Sequence, residues 1–115
     1  MVAPKIIPIG PFGALFRDTT AQLDAWGKVT SPLITVPEIG LLSVAPESLL
    51  KLLSERLTEK EYGPMDALVT TAPHAVVAMV VAMVARKHDH FNIITWDRDL
   101  RVWCYIPFQL EALPV

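Results

Sequence analysis

The feature that most constrains the fold of this chain is an apolar segment at residues 75–85, which follows a short strand-like run at residues 67–70. The segment has about half of the roughly 20 residues that a helix needs to cross a bilayer, so a membrane span is excluded. Its spacing predicts a helix over residues 73–87, with Pro73 in the first turn, where its missing N–H does no harm. We therefore expect this helix to belong to a folded core.

The predicted helix has no polar side, although a helix that packs on a sheet normally leaves one side to solvent. Two explanations are open. The helix is either the central helix of a small core, or a second subunit covers its outer face, which predicts a homodimer. The apolar side chains distributed around the helix are those of Val76, Val77, Met79, Val80, Val81, Met83 and Val84.

Composition narrows the class of protein. The chain has 115 residues, of which 52% are hydrophobic and 19% charged, which is typical of one globular domain over residues 1–115. The net charge of −2 and the lack of a basic block argue against a long nucleic acid as partner. The single cysteine, Cys104, excludes an internal disulfide and fits the reducing cytosol, so a cytoplasmic location is expected. Because residues 6–16 contain two prolines and two glycines, we expect no signal peptide.

Strand and helix patterns alternate along the chain. We predict strands at residues 5–9, 33–36, 67–70 and 91–96, and a final, antiparallel strand at residues 100–106. Helices are predicted from Asp18 or Thr19 to Trp26, from Pro46 through a leucine stripe to Leu57, and over residues 73–87. This order predicts a three-layer, Rossmann-like α/β fold whose sheet is mostly parallel and ends in an antiparallel hairpin.

Two local signals refine these elements. Pro8 lies in the first predicted strand and indicates either an edge position or an early end for it. Gln22 stands three residues after Thr19, as in a capping box, and Gly27 is placed to end that helix.

Loops at the carboxyl ends of the strands are the expected ligand site, because open α/β sheets bind their ligands there. Three such loops are predicted, at residues 10–13, 70–74 and 96–98, and the second leads directly into the apolar helix. The candidate ligand-binding residues on or near these loops are Gly10, Phe12, Gly13, Arg17, Thr70, Thr71, His74, Trp96 and Arg98.

The chemistry of these residues suits an anion. Free N–H groups and the dipole at a helix N-terminus favour a phosphate, and Thr70 and Thr71 add hydroxyl donors. His74 can exchange a proton near neutral pH, so His74 and Thr71 are the candidate catalytic residues. Arg17 and Arg98 can neutralise a phosphate. The structural alternatives are that the threonines cap the helix, that His74 is an ordinary surface or core histidine, and that the arginines are solvated.

A metal site, a serine-hydrolase motif and the common nucleotide-binding motifs are not expected. His88 and His90 fall between a helix and a strand, and His74 should lie at the opposite end of that helix, so a zinc site lacks its third ligand. The chain has no Gly-x-Ser-x-Gly elbow, Walker loop or Gly-x-Gly-x-x-Gly fingerprint.

The segments around the apolar helix carry a resemblance to a known family. They are the strand, loop and helix start at residues 66–74, the helix end at residues 86–90, and the strand at residues 91–97. Before these segments, the helix at Thr19, the loop that contains Pro37 and the leucine-rich helix also come in an order similar to that of the family. This layout resembles the small CRISPR-associated proteins with a CARF-like, Rossmann-type domain, among them the stand-alone ring nucleases of type III systems.

The resemblance implies a homodimer that binds cyclic oligoadenylate, a ring of adenylates, in a cleft on the dimer axis. It implies no cofactor, and members that cleave the ring do so without a metal, by attack of a ribose 2′-hydroxyl on the neighbouring phosphate. Thr70, Thr71 and His74 would then orient the ring and stabilise charge, with Arg17 or Arg98 in support. The loop departs from strong phosphate binders because it lacks glycines and lysine. An alternative is a non-catalytic subunit that docks on another protein through the apolar helix and the C-terminal hairpin.

Overall fold

The structure, a computed structural model, describes residues 3–114, without the side chains of Leu15, Arg17 and Asp18. Its strands are β1 (Lys5–Pro8), β2 (Lys28–Val29), β3 (Ala67–Val69), β4 (His90–Asp97) and β5 (Val102–Gln109). They form one five-stranded sheet in the order β2-β1-β3-β4-β5. Strands β1 to β4 are parallel, and β5 is antiparallel to β4. The mostly parallel α/β class with a C-terminal hairpin is thereby confirmed.

Helical elements cover both faces of the sheet. The two longer α-helices, Pro46–Glu59 and His74–Lys87, pack on one face, and a 3₁₀ helix packs on the other. The elements are the 3₁₀ helix Ala14–Ala25, α1 (Val36–Ile39), α2 (Leu41–Val44), α3 (Pro46–Glu59), α4 (His74–Lys87) and a final 3₁₀ turn, Leu110–Ala112. The helices predicted from Pro46 and over residues 73–87 are confirmed to within a few residues.

Alternation along the strands builds two cores. In β3, Leu68 contributes to the core under α3 and α4, whereas Ala67 and Val69 contribute to the core under the 3₁₀ helix. In β4 the same alternation places Ile93 under α4 and Ile94 on the opposite side. The central strands are therefore apolar on both faces, as is typical of a parallel sheet covered by helices.

The predicted strand at residues 33–36 is wrong. The strand next to β1 is instead β2, which pairs with β1 before the apolar run begins. Leu33 and Ile34 are buried as a loop, and their N–H groups bond to the carbonyls of Pro8 and Ile9. Strand formation ends there because Thr35 begins α1 with a capping box.

The helix predicted from Asp18 or Thr19 is also wrong in its start and its type. A 3₁₀ helix begins at Ala14 after Gly13. The Thr19 hydroxyl donates to the Phe16 carbonyl at 2.7 Å and so does not serve as an N-cap. The Gln22 side chain accepts a hydrogen bond from the Trp103 N–H on β5, at 3.2 Å, and not from its own helix.

Helix α4 shows a different outer face from the one expected. Its valines and methionines are buried or half-buried against the sheet and α3. Between the two ends of the helix, where His74, Arg86 and Lys87 are exposed, the exposed residues are small, namely Ala75, Ala78 and Ala82. The helix thus has no polar side, as predicted, but its open side is made of alanines.

The outer edge of β5 is largely closed to further strand pairing. The Trp103 N–H points away from β4, because it bonds to Gln22. By alternation, the backbone of residue 107 points the same way. That residue is Pro107, which has no N–H to offer. Gln22 and Pro107 therefore protect this edge on either side of the outward N–H of Tyr105.

No helix within residues 3–114 is long and apolar enough to span a membrane.

Candidate functional site

A cavity of about 600 Å³ lies where α4 begins, beside the carboxyl ends of β3 and β4. Four of the predicted site residues line it: Thr70, His74, Trp96 and Arg98. The loop after β3 and the β4–β5 turn thus meet, as expected from their place at the same edge of the sheet. The remaining lining residues are Ala72, Val77, Ala78, Val81 and Thr95.

The N-terminus of α4 is uncapped. Its N-cap residue is Pro73, which has no side-chain acceptor. The Pro73 carbonyl accepts from Val76 and Val77, but within residues 3–114 the N–H groups of His74 and Ala75 have no hydrogen-bond partner. These N–H groups point out of the N-terminal end of the helix, where the helix dipole is positive. This end of the cavity is therefore suited to an anion.

The two threonines of the loop do not cap the helix. The Thr71 hydroxyl accepts from the Gly10 N–H at 3.1 Å and donates to the Gly10 carbonyl at 2.6 Å. The Thr70 hydroxyl donates to the Thr95 hydroxyl at 3.2 Å. Because Thr95 accepts this bond, its own proton is available to the cavity. Thr71 thus holds the backbone together, and the Thr70–Thr95 pair faces the ligand space.

The loop after β1 lies outside the cavity lining. Gly10 is buried against Thr71, and a Cβ on Gly10 would overlap the Thr71 carbonyl oxygen. The Phe12 ring packs on Trp103 in the core under the 3₁₀ helix, with ring centres 5.9 Å apart. Gly13 is exposed and precedes the 3₁₀ helix. The side chain of Arg17 lies outside the described part of the chain.

Trp96 lines the cavity, but its ring is engaged on the other face of the sheet. The ring contacts Phe16 edge-on at 5.3 Å and Trp103 at 5.1 Å. It therefore belongs to an aromatic cluster that fixes the 3₁₀ helix to β4 and β5, and base stacking on this ring would require the cluster to open.

The side chains of His74 and Arg98 complete the cavity. His74 and Arg98 are both exposed, and neither forms an ion pair with another described residue. Val77, Ala78 and Val81 of α4 supply an apolar wall. The arrangement can hold an anionic group between the helix N-terminus and Arg98, with an apolar body against α4.

A metal is not suggested by the geometry. Among residues 3–114, no three His, Cys, Asp or Glu side chains lie close enough together to hold an ion. His88 packs its ring edge-on against Tyr62 at 5.3 Å. The Nε2 atom of His90 lies 3.2 Å from the Oε1 atom of Glu111. The His-Asp-His sequence therefore ends α4 and begins β4.

Thr95 is the polar lining residue that the sequence reasoning missed. A signal existed, since Thr95 directly follows the buried run Phe91, Asn92, Ile93 and Ile94. On β4, Thr95 shares a face with Ile93, and that face lies under α4. A threonine at the carboxyl end of a buried parallel strand is a reasonable site candidate in any such fold.

Comparison with known proteins gives the chain no family. No protein-family model, curated protein or solved structure matches it. The cavity at the start of α4 is therefore the basis on which a function is proposed.

Proposed function

We propose that this protein binds a cyclic oligoadenylate at the cavity beside α4, and that it does so in the cytoplasm as a homodimer. The observation that supports this most directly is the uncapped N-terminus of α4, with His74 and Arg98 at the same cavity. A phosphodiester satisfies the free N–H groups and the guanidinium together. An apolar or purely cationic ligand would leave them unpaired.

The cavity divides into an anionic and an apolar subsite. A ring phosphate sits at the N–H groups of His74 and Ala75, within reach of Arg98. An adenine base lies against Val77, Ala78 and Val81. The Thr95 hydroxyl donates to a base nitrogen or a ribose oxygen.

The size of the ligand favours two subunits. A cavity of about 600 Å³ is of the size that holds one small ligand, comparable to a single nucleotide. A ring of four or six adenylates is several times larger, so two cavities must share it. The exposed alanines of α4 allow two helices to approach closely, because alanine adds little bulk between them.

Cleavage of the ring is the second part of the proposal. A ribose 2′-hydroxyl attacks the adjacent phosphorus, the bond to the 5′-oxygen breaks, and a cyclic 2′,3′-phosphate and a 5′-hydroxyl result. His74 exchanges the proton, and the N–H groups at the start of α4 stabilise the charge that develops on the phosphate. The Thr71 hydroxyl is engaged with Gly10, so its role is to position the loop.

Calorimetry with cyclic tetra-adenylate and cyclic hexa-adenylate tests binding, and chromatography of the same mixtures tests cleavage. We expect Arg98→Ala to weaken binding at least about tenfold, because a charge-assisted contact is lost. His74→Ala should reduce cleavage more than binding. Lys51→Ala on α3, an exposed cation away from the cavity, is the control. Absence of both heat and product with the wild-type protein would refute the proposal.

A second candidate function is a non-catalytic subunit that docks on another protein. It is favoured by Val102 and Ile106, two residues of β5 that are each 38% exposed. Both lie on the α4 side of the sheet, since Ile106 pairs with Ile93. This function predicts a monomer on a sizing column and no heat with either cyclic oligoadenylate.

A further inference from the structure

A second cavity, of about 530 Å³, lies at the opposite edge of the sheet, between the C-terminal ends of α3 and α4. Leu57, Met83 and Val84 give it an apolar floor. The rings of Tyr62 and His88, edge-on at 5.3 Å, form one wall. Its volume is within the range of small-molecule sites.

Charged side chains of both signs line this cavity and stay apart. Glu61 follows α3, whereas Arg86 and Lys87 belong to the last turn of α4. Within residues 3–114 these three side chains form no ion pair, either with one another or with other residues. The charges of the cavity are therefore available to a ligand.

Two nearby cations, Arg56 of α3 and Lys60 at its C-cap, are bound to other parts of the fold. Arg56 donates to both carboxylate oxygens of Glu38, at 2.8 and 2.7 Å. Lys60 donates to the carbonyl and the hydroxyl of Ser31, at 2.7 and 2.8 Å. These two side chains hold the fold together, whereas Glu61, Arg86 and Lys87 form no such bonds with other described residues.

The balance of charge selects the kind of ligand. Arg86 and Lys87 contribute +2, and Glu61 contributes −1. The two helix C-termini contribute about −0.5 each. The sum is close to zero, so neither a simple anion nor a simple cation is favoured. A zwitterion satisfies both sides, with its ammonium toward Glu61 and the helix ends and its carboxylate toward Arg86 and Lys87.

Glu61 itself is held in an unfavourable backbone conformation. Its φ is 54°, and it lies just past the C-cap of α3, where glycine is the usual residue. A glutamate in this conformation costs about 1 kcal/mol or more. The side chain of Glu61, which is present despite this cost, lines the cavity.

We infer that this cavity binds a free α-amino acid with a large apolar side chain. The side chain occupies the floor of Leu57, Met83 and Val84, beside the Tyr62 ring. The ammonium and carboxylate divide between Glu61 and the two cations of α4. This site is independent of the cavity at the start of α4.

The test uses three probes on the full chain by calorimetry: phenylalanine, phenylpropanoate, which lacks the amine, and phenethylamine, which lacks the carboxylate. We expect one phenylalanine per chain and affinity at least about tenfold lower for each of the other two. Heat from none of the probes, or equal affinity for phenylpropanoate and phenylalanine, would overturn the inference.

Variants separate binding from the fold. Glu61→Gly should raise Tm by a few degrees, because it relieves the backbone, while it weakens phenylalanine binding at least about tenfold. Arg101→Gly is the matched control, because Arg101 has a φ of 55° in the β4–β5 turn; it should raise Tm and leave phenylalanine binding unchanged. Unchanged affinity in Glu61→Gly would contradict the inference. His74→Ala should bind phenylalanine normally, so failure of one site is distinguishable from failure of the other.

Discussion

At the scale of single residues, the contact between Thr71 and Gly10 decides where a ligand can bind. The strand order places the change of direction of the chain between β1 and β3, which is where sheets of this kind usually bind ligands. Here the Thr71 hydroxyl fills that crevice by bonding to both backbone groups of Gly10. The open space is displaced by one strand, to β3 and β4.

Substitution of Thr71 by valine tests this role. Thr71→Val removes the acceptor and the donor that Gly10 uses while it keeps the shape of the side chain. Two buried backbone groups lose their partner, so the free energy of unfolding should fall by about 2 kcal/mol. Urea denaturation followed by circular dichroism measures this.

Thr70→Val is the control for that experiment. It removes only a half-buried bond between two hydroxyls, and we expect a loss below about 1 kcal/mol. If Thr71→Val is as stable as the wild type but loses cleavage of a cyclic oligoadenylate, Thr71 is a catalytic residue and its structural role is refuted.

At the scale of elements, a pair of charges holds α1 against α3. Glu38 on α1 accepts from Arg56 on α3 through both carboxylate oxygens. Its side chain also accepts from the backbone N–H of Thr35 at 2.8 Å. The bonds from Arg56 first, and from Thr35 second, lower the pKa of Glu38 from 4.5 to about 2. Arg56 also donates to the Leu33 carbonyl at 2.8 Å, so the same pair fixes the buried loop.

This lowered pKa predicts a dependence of stability on acid. Glu38 is charged more readily in the folded than in the unfolded chain, so its contribution is complete above pH 4.5 and is lost as the pH falls toward 2. We expect Glu38→Gln to be less stable than the wild type at pH 7, with the difference reduced at pH values near about 2.5. Asp24→Asn, at an exposed carboxylate, is the control. A constant difference across the range would contradict the prediction.

The elements that could be predicted from the sequence are those with long patterns. Helices α3 and α4 and the β4–β5 hairpin have runs long enough for periodicity to identify them. Strand β2 has two residues, and its pairing with β1 depends on a tertiary contact that no local pattern reports. The apolar run at residues 33–36 predicts a strand because a buried loop and a buried strand have the same apolar sequence pattern. The Thr35–Glu38 capping box was the signal to the contrary.

The candidate site was predictable to a similar degree. The loop after β3 and the β4–β5 turn meet because parallel strands share one carboxyl edge. The loop after β1 could not be placed, because the sequence does not report that Phe12 packs on the far face of the sheet with Trp103. The position of the Trp96 ring could not be predicted either, because the ring packs in the same aromatic cluster.

At the scale of the whole molecule, the exposed alanines of α4 are the surface through which two copies meet in the proposed homodimer. Ala82 belongs to this surface, is exposed and, unlike Ala78, does not line the cavity. Ala82→Glu should leave the monomer folded, since glutamate forms helices well. It places an unpaired charge in the contact, so dimerisation should weaken at least about a hundredfold.

Analytical ultracentrifugation measures this effect, with and without cyclic tetra-adenylate. Ser48→Glu on the exposed side of α3 is the control and should not change the sedimentation of the protein. A dimer of unchanged affinity in Ala82→Glu would place the contact elsewhere on the molecule.

The protected edges of the sheet have a consequence for the behaviour of the chain at high concentration. One edge strand, β2, has only two residues, and the other, β5, is interrupted by Gln22 and Pro107. Amyloid growth requires long, regular edges onto which identical chains can add. Although the chain is 52% hydrophobic, we therefore expect its native state not to template fibres at high concentration. Storage buffers need to keep the chain folded, because the unfolded form is the species that could start such growth.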